Sequence, residues 1–191
     1  MNPISVDEAF ADALVALSRP TPIVPGDRTA APTVPGLYSL HATAAGLADL
    51  GLSHHPVDRA IYVGKSQSSL RARTLGTHFH TGRTGHSTVR RSLAALLQKD
   101  LDLAVVQRPG KGHPTNFSLA TPGDERLTDW MITHLRLACW PCPDGLHIPA
   151  LEAAVTRRWS PPLNLDHVIA TWPLLVARLA EMRRQLPPSA L

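Results

Sequence analysis

Between Arg59 and Lys99 the chain carries eight lysines and arginines and no aspartate or glutamate, with His78, His80 and His86 among them. A segment with that charge cannot neutralise itself, so it ends on a solvated face or against a polyanion. The same segment opens with a strand pattern. Ile61 and Val63 alternate with Tyr62, so the phenol leaves the face that those two bury. The strand then delivers Tyr62 and Lys65 beside Arg71 and Arg73, which sets a phenol among cations. Taken alone, a strand followed by a basic amphipathic helix is an ordinary structural unit whose charges simply face water.

A second short strand lies upstream, Pro35-Gly36-Leu37-Tyr38-Ser39-Leu40, with a glycine at its entry and a tyrosine two residues later. Downstream, Leu151-Glu152 opens a helical pattern that closes in Ser160-Pro161-Pro162-Leu163-Asn164. Gly-Leu-Tyr followed by Tyr-Val-Gly-Lys, with Leu70 and Arg73 beyond and a Pro-Pro-Leu-Asn run at the end, resembles the signature elements of the GIY-YIG nuclease superfamily. The resemblance spans roughly Pro35 to Asp166 and rests on the order of these pieces, since no three-residue piece is specific by itself. It implies one active site made of Tyr38, Tyr62, Arg73, His78, Glu152 and Asn164. Two departures stand out. The gap between Tyr38 and Tyr62 is wider than the family's, which implies an inserted loop. The stretch from Leu70 to His78 is longer, which leaves Arg71 beside Arg73, and His80 beside His78, as alternatives.

Composition agrees with one globular domain: 191 residues, 43% apolar, and a mean hydropathy of -0.05. No apolar run approaches the roughly 18 residues needed to span a bilayer, and the N-terminus lacks a basic stretch followed by an apolar one. The expectation is a cytoplasmic protein with no membrane partner. The formal charge of +4 is modest, yet acids are excluded from the central segment, and that asymmetry favours a nucleic-acid partner, which the resemblance implies is DNA. Arg71, Arg83, Arg90 and Arg91, with Lys111 in a Gly/Pro-rich loop, are the expected nucleic-acid contacts. Cys139 and Cys142 form Cys-Trp-Pro-Cys. The pair fits no zinc-finger spacing with His134 or His147, and it does not open a helix as a redox pair does.

Along the chain, Ser5-Val6-Asp7-Glu8 is a capping box, and Phe10, Ala13, Leu14 and Leu17 extend it as a helix. Five prolines between Arg19 and Pro35 exclude helix there and predict an extended connector. Leu70 to Phe79 reads as the helix that carries Arg73, interrupted by Gly76. Ser87 caps the next helix, whose stripe is Val89, Leu93, Leu96 and Leu97, with Arg90 and Arg91 off it. Leu101 to Gln107 and Phe117 to Ala120 read as a hairpin. A helix starting at Asp124 or Thr128 leads to a third core strand, Leu135 to Trp140. Thr171 caps a final helix that ends at Pro187.

These readings predict an α+β fold: a small three-stranded, mostly antiparallel sheet flanked by helices, with helical additions at both ends. The expected division is a helix and proline-rich connector over 1–34, the GIY-YIG-like domain over 35–166, and a C-terminal helix over 167–191. The implied chemistry is metal-dependent DNA cleavage. One carboxylate, Glu152, suits Mg2+ or Mn2+ with waters and substrate oxygens filling the remaining positions. Arg73 offers a fork of donors to phosphate oxygens. A phenol of ordinary pKa about 10 becomes a base only if its anion is stabilised by the metal, Lys65 or Arg73. The resemblance implies that Tyr38 meets the attacking water, Tyr62 positions the phosphate, His78 relays a proton and Asn164 holds the network. The residues alone do not decide which tyrosine is the base. Two rivals stand beside this reading: a nucleic-acid-binding module without turnover, and a thiol redox protein using Cys139 and Cys142.

Overall fold

Strand β2 (Gly36–Ala42) is buried at every position, which requires partners on both edges and cover on both faces. The computed structural model, which describes residues 4–108 and 116–186, supplies all four. β3 (Tyr62–Ser66) pairs antiparallel on one edge, with Leu40 opposite Tyr62 and Tyr38 opposite Gly64. β6 (Leu135–Pro141) pairs antiparallel on the other, with Tyr38 opposite Cys139. A further strand that sequence reading placed in an extended connector, β1 (Thr21–Pro22), adds to the outside of β6. The sheet is therefore four-stranded, in the order β1-β6-β2-β3. Pro22 has no N–H to give the ladder, and the edge position tolerates that loss.

Alternation along β2 sends Tyr38, Leu40 and Ala42 to one core and Leu37 to the other. Helices α1 (Val6–Leu17) and α6 (Ile148–Trp159) cover the Leu37 face through Ala9, Ala13, Leu17, Leu151 and Val155. The capping box forms, with Glu8 N–H donating to Ser5 Oγ at 3.2 Å and Ser5 N–H donating to Glu8 at 3.0 Å. Trp140 Nε1 donates to Asp12 at 2.7 Å and pins α1 to β6. The Tyr38 face is covered by α4 (Thr88–Leu97), α5 (Thr121–His134) and α7 (Pro173–Arg184), through residues such as Leu93, Met131 and Leu179. β4 (Val105–Gln107) and β5 (Phe117–Leu119) form the expected hairpin as a separate antiparallel pair. Its loop, with Lys111, lies outside the described residues. Among the described residues no helix is long and apolar enough to cross a membrane.

Two helix starts differ from the sequence reading. α5 begins at Thr121, with Pro122 in its first turn, because the Asp124 carboxylate is drawn into the interior by Arg90 and does not cap. α7 begins at Pro173 after Trp172. Proline is well suited to a first helical position, where its missing N–H is no loss.

The outer edge of β3 is closed by a side chain. Asn164 Oδ1 accepts from Val63 N–H at 2.9 Å and Asn164 Nδ2 donates to Val63 O at 2.8 Å, while Leu163 N–H donates to Ile61 O at 3.0 Å. One amide thus completes both backbone groups of the residue that follows Tyr62. α6 stops just before this run because Ser160 turns into the left-handed region, at φ 48°, and Pro161 and Pro162 cannot continue a helix. Asn164→Ala would leave two buried backbone groups without partners, at about 1–3 kcal/mol each. The expected outcome is a clear drop in the thermal midpoint and faster exchange of the Val63 amide, read by calorimetry and hydrogen exchange. An unchanged midpoint would show that water replaces the amide at no cost.

Candidate active site

Tyr38 and Tyr62 come from neighbouring antiparallel strands and project from the same face, with ring centroids 6.2 Å apart. Gly64, opposite Tyr38 on β3, makes this possible. A Cβ there would stand 2.4 Å from the Tyr38 hydroxyl, so the ring lies across the bare backbone. The Tyr38 hydroxyl is 2.6 Å from His78 Nε2, and His78 Nδ1 is 2.7 Å from Ser87 Oγ. Ser87 also caps α4 by accepting from Arg90 N–H at 3.1 Å. The sequence reading had found Ser87 only as that cap. Its second bond, to a residue nine positions earlier, has no signature in the local pattern.

The longer spacing between Leu70 and His78 has a structural answer. α3 (Leu70–Arg73) runs directly into a π-helical turn, Thr74–His78, in which Phe79 N–H donates to Thr74 O at 3.0 Å. On an α-helix, residues five apart diverge by about 140°. The i to i+5 closure of a π turn absorbs an extra residue, so Arg73 and His78 can both turn inward. Gly76, which sequence reading took as a weak point in the helix, lies within this turn. The neighbouring alternatives go elsewhere: Arg71 and His80 line a separate cavity with Arg28 and Thr33, and Arg71 Nε donates to Ala31 O at 2.9 Å.

Tyr38, Tyr62, Lys65, Gln67, Arg73 and Glu152 line one open cavity of about 290 Å³. Among the described residues Glu152 is the only carboxylate in that lining. It is 9% exposed, sits beside the buried stripe of α6, and accepts a hydrogen bond and ion pair from Lys65 Nζ. Lys65 therefore faces the carboxylate. Gln67, just after β3, joins the lining, a residue the sequence pattern does not single out.

Electrostatics separates the groups. Burial pushes the Tyr38 phenol well above its usual range, with Tyr62 adding to the shift and Arg73 opposing it. Burial raises Tyr62 as well, against the pull of Arg73. Burial, then Arg73 and Arg90, holds His78 well below the usual histidine range, so its ring is neutral at pH 7. In the Nδ1–H tautomer, His78 donates to Ser87 Oγ and leaves Nε2 free to accept from the Tyr38 hydroxyl.

The expected nucleic-acid contacts divide. Arg83 is exposed. Arg91 is half-buried, donating to Gly85 O at 3.0 Å. Arg90 is a correction. It is 0% exposed and cannot reach a ligand. Its guanidinium pairs with Asp124 at 2.9 Å and donates to Thr84 Oγ1, His78 O and Thr128 Oγ1, each at 2.9 Å. Asp124 also accepts from Gly82 N–H and from the Thr84 hydroxyl. This buried network anchors the loop that follows His78. An i+1 neighbour of the apolar Val89 reads as surface by helical spacing, and the distant Asp124 that reverses the reading gives no local signal. Cys139 and Cys142 are free thiols. Burial pushes Cys139 up to about 12, the opposite of what a reactive thiolate needs.

The sheet, its two facing tyrosines and the single-carboxylate cavity define an α+β domain of the GIY-YIG type. The model of the GIY-YIG catalytic domain matches residues 52–185, well over half of the chain, and the protein belongs to that family. It is a family of nuclease domains, and nucleic acid is the substrate class that membership carries. The match contains Tyr62, Arg73, His78, Glu152 and Asn164 and begins after Tyr38, which is placed by its pairing with Gly64 and its bond to His78. No curated protein and no solved structure matches the chain.

Proposed function

We propose that the protein is a metal-dependent DNA endonuclease that hydrolyses phosphodiester bonds in the cavity between the tyrosine strands. The observation that carries this reading is the convergence of Tyr38, Tyr62, Arg73 and Glu152 on one open pocket from four separate elements. The donor set fits a hard divalent cation. Glu152 would hold it through one carboxylate oxygen once Lys65 gives up its ion pair there, and Mg2+ or Mn2+ accept such a site with waters completing the shell. When bound, the cation supplies Lewis-acid stabilisation of charge on the phosphate oxygens.

The chain's own residues do the rest. Arg73 directs a planar fork of donors at the non-bridging oxygens, where charge grows in the transition state. Tyr62 orients the phosphate. Tyr38 takes a proton from the attacking water as its own hydroxyl proton passes to Nε2 of neutral His78, so the phenol remains a phenol throughout. That transfer avoids the phenolate which burial disfavours. Ser87 holds His78 in the tautomer that can accept.

The test is incubation of the purified protein with supercoiled plasmid and with single-stranded DNA, in Mg2+, in Mn2+ and in EDTA. Nicked or linear product that requires the cation is expected. Binding without product under every condition would replace this reading with that of a binding module.

A further inference from the structure

The 3-10 turn Thr84–His86 gathers three guanidinium groups from three different elements. Arg73, from α3, donates to His86 O at 3.4 Å. Arg91, from α4, donates to Gly85 O at 3.0 Å and to Thr84 O at 3.4 Å. Arg108, at the end of β4, donates to His86 Nδ1 at 3.1 Å. A Cβ on Gly85 would stand 2.8 Å from Arg108 Cγ, so the arginine stem lies directly on the glycine.

Among the described residues none of the three pairs with a carboxylate. The sequence places no acid between Arg59 and Lys99 or between Leu103 and Gly123. Each guanidinium has five N–H donors, and neutral carbonyls and one imidazole occupy only part of them. Arg108 Nε is buried with no hydrogen-bond partner among the described residues. Burial, followed by the charges of Arg183, Arg108 and Arg73, pulls Arg91 down to about 10. The carboxylate that reaches the turn, Asp124, is taken up by Arg90 and Thr84, and like charges held together without a carboxylate partner of their own are stabilised by a bound anion.

Arg73 belongs both to this turn and to the cavity of Tyr38, Tyr62 and Glu152. We propose that Arg91 and Arg108 form a second phosphate site, which holds the phosphate next to the scissile one on the same strand. The inference rests on the nuclease reading above and adds a direction to it. The cleaved strand passes from the tyrosine cavity over the Thr84–His86 turn, with Arg73 shared between consecutive phosphates. The site recognises backbone and not bases, so it sets register without sequence preference.

The first measurement is binding of a fluorescent DNA duplex in EDTA by anisotropy across a salt series, for wild type, Arg91→Ala, Arg108→Ala and a control, Arg157→Ala, on the exposed end of α6. Arg108 donates no hydrogen bond to the backbone of the turn among the described residues, touching it through the His86 ring and the Gly85 surface, so its variant serves even if Arg91→Ala folds poorly. Each of the two variants should bind more weakly and lose about 1 from the slope of log K against log salt, while the control keeps the wild-type slope. Unchanged slopes in both variants, or an equal loss in the control, would overturn the proposal. The second measurement uses oligonucleotides with one neutral methylphosphonate linkage and Mg2+. Wild type should avoid cleaving next to the neutral linkage, and Arg108→Ala should lose that avoidance. Cleavage by wild type that ignores the neutral linkage would overturn the second site and leave the nuclease intact. Binding with the predicted slopes but no cleavage would do the reverse.

Discussion

Glu152→Gln is expected to abolish cleavage while leaving DNA binding intact or slightly tighter. Among the described residues Glu152 is the only carboxylate lining the cavity, so no neighbour there can take over its charge. Glutamine keeps the length, the planar end and an oxygen that still accepts from Lys65, but a neutral amide attracts a divalent cation far less than a carboxylate does. On the proposed reading binding rests chiefly on arginines outside the Glu152 lining, Arg91 and Arg108, and removing a negative charge beside a phosphate does not weaken it. Plasmid nicking in Mg2+ and anisotropy in EDTA, on the same preparation, separate the two effects. Nicking by Glu152→Gln at the wild-type rate would remove the carboxylate from the mechanism.

Arg73→Ala should lower turnover on the order of 100- to 1,000-fold, the usual cost of removing one preorganised donor from a developing negative charge. Arg71→Ala, two residues away, should change it little. The contrast follows from geometry. Arg73 lines the tyrosine cavity, whereas Arg71 is bound to Ala31 O and lines a different one. Single-turnover rates at saturating protein are the appropriate measure, since Arg73 also lies beside the proposed second phosphate and its loss affects affinity. Equal small losses at both positions would place neither arginine against the reacting phosphate.

How much of this was legible in the sequence depends on whether the deciding interaction is local. The Ser5 capping box and the stripe of α4 are local, and the structure follows both; the alternation holds for Tyr62 and Val63, which enter opposite cores, whereas Ile61, just before β3, packs in the same core as Tyr62. Glu152 flanks the apolar stripe of its helix, and spacing alone favours water over the tyrosines; the structure turns it into the lining of the tyrosine cavity. β1 was missed because a two-residue edge pairing among prolines has no pattern; only the exposed edge of β6 reveals it. Arg90 was misread for a related reason. Helical spacing puts it off the apolar stripe, and only Asp124, far away in sequence, brings it inside. The choice between Arg71 and Arg73 turned on the π turn at Thr74–His78, which the sequence expressed merely as an extra residue. Ser87 and Gln67 joined the site through packing that no motif encodes.

The most direct test of the central claim is the single-turnover cleavage rate of Tyr38→Phe with saturating Mg2+. The substitution removes one oxygen from a ring that is 1% exposed and packed across Gly64, so the fold and the arginine surface stay as they are. It deletes the atom that lies 2.6 Å from His78 Nε2 and faces the cavity. If that hydroxyl passes the water's proton to His78, the rate should fall by about 100-fold or more, with unchanged DNA affinity and a thermal midpoint near that of wild type. Cleavage by Tyr38→Phe at the wild-type rate would contradict the account, because the proposed proton path cannot run without that oxygen.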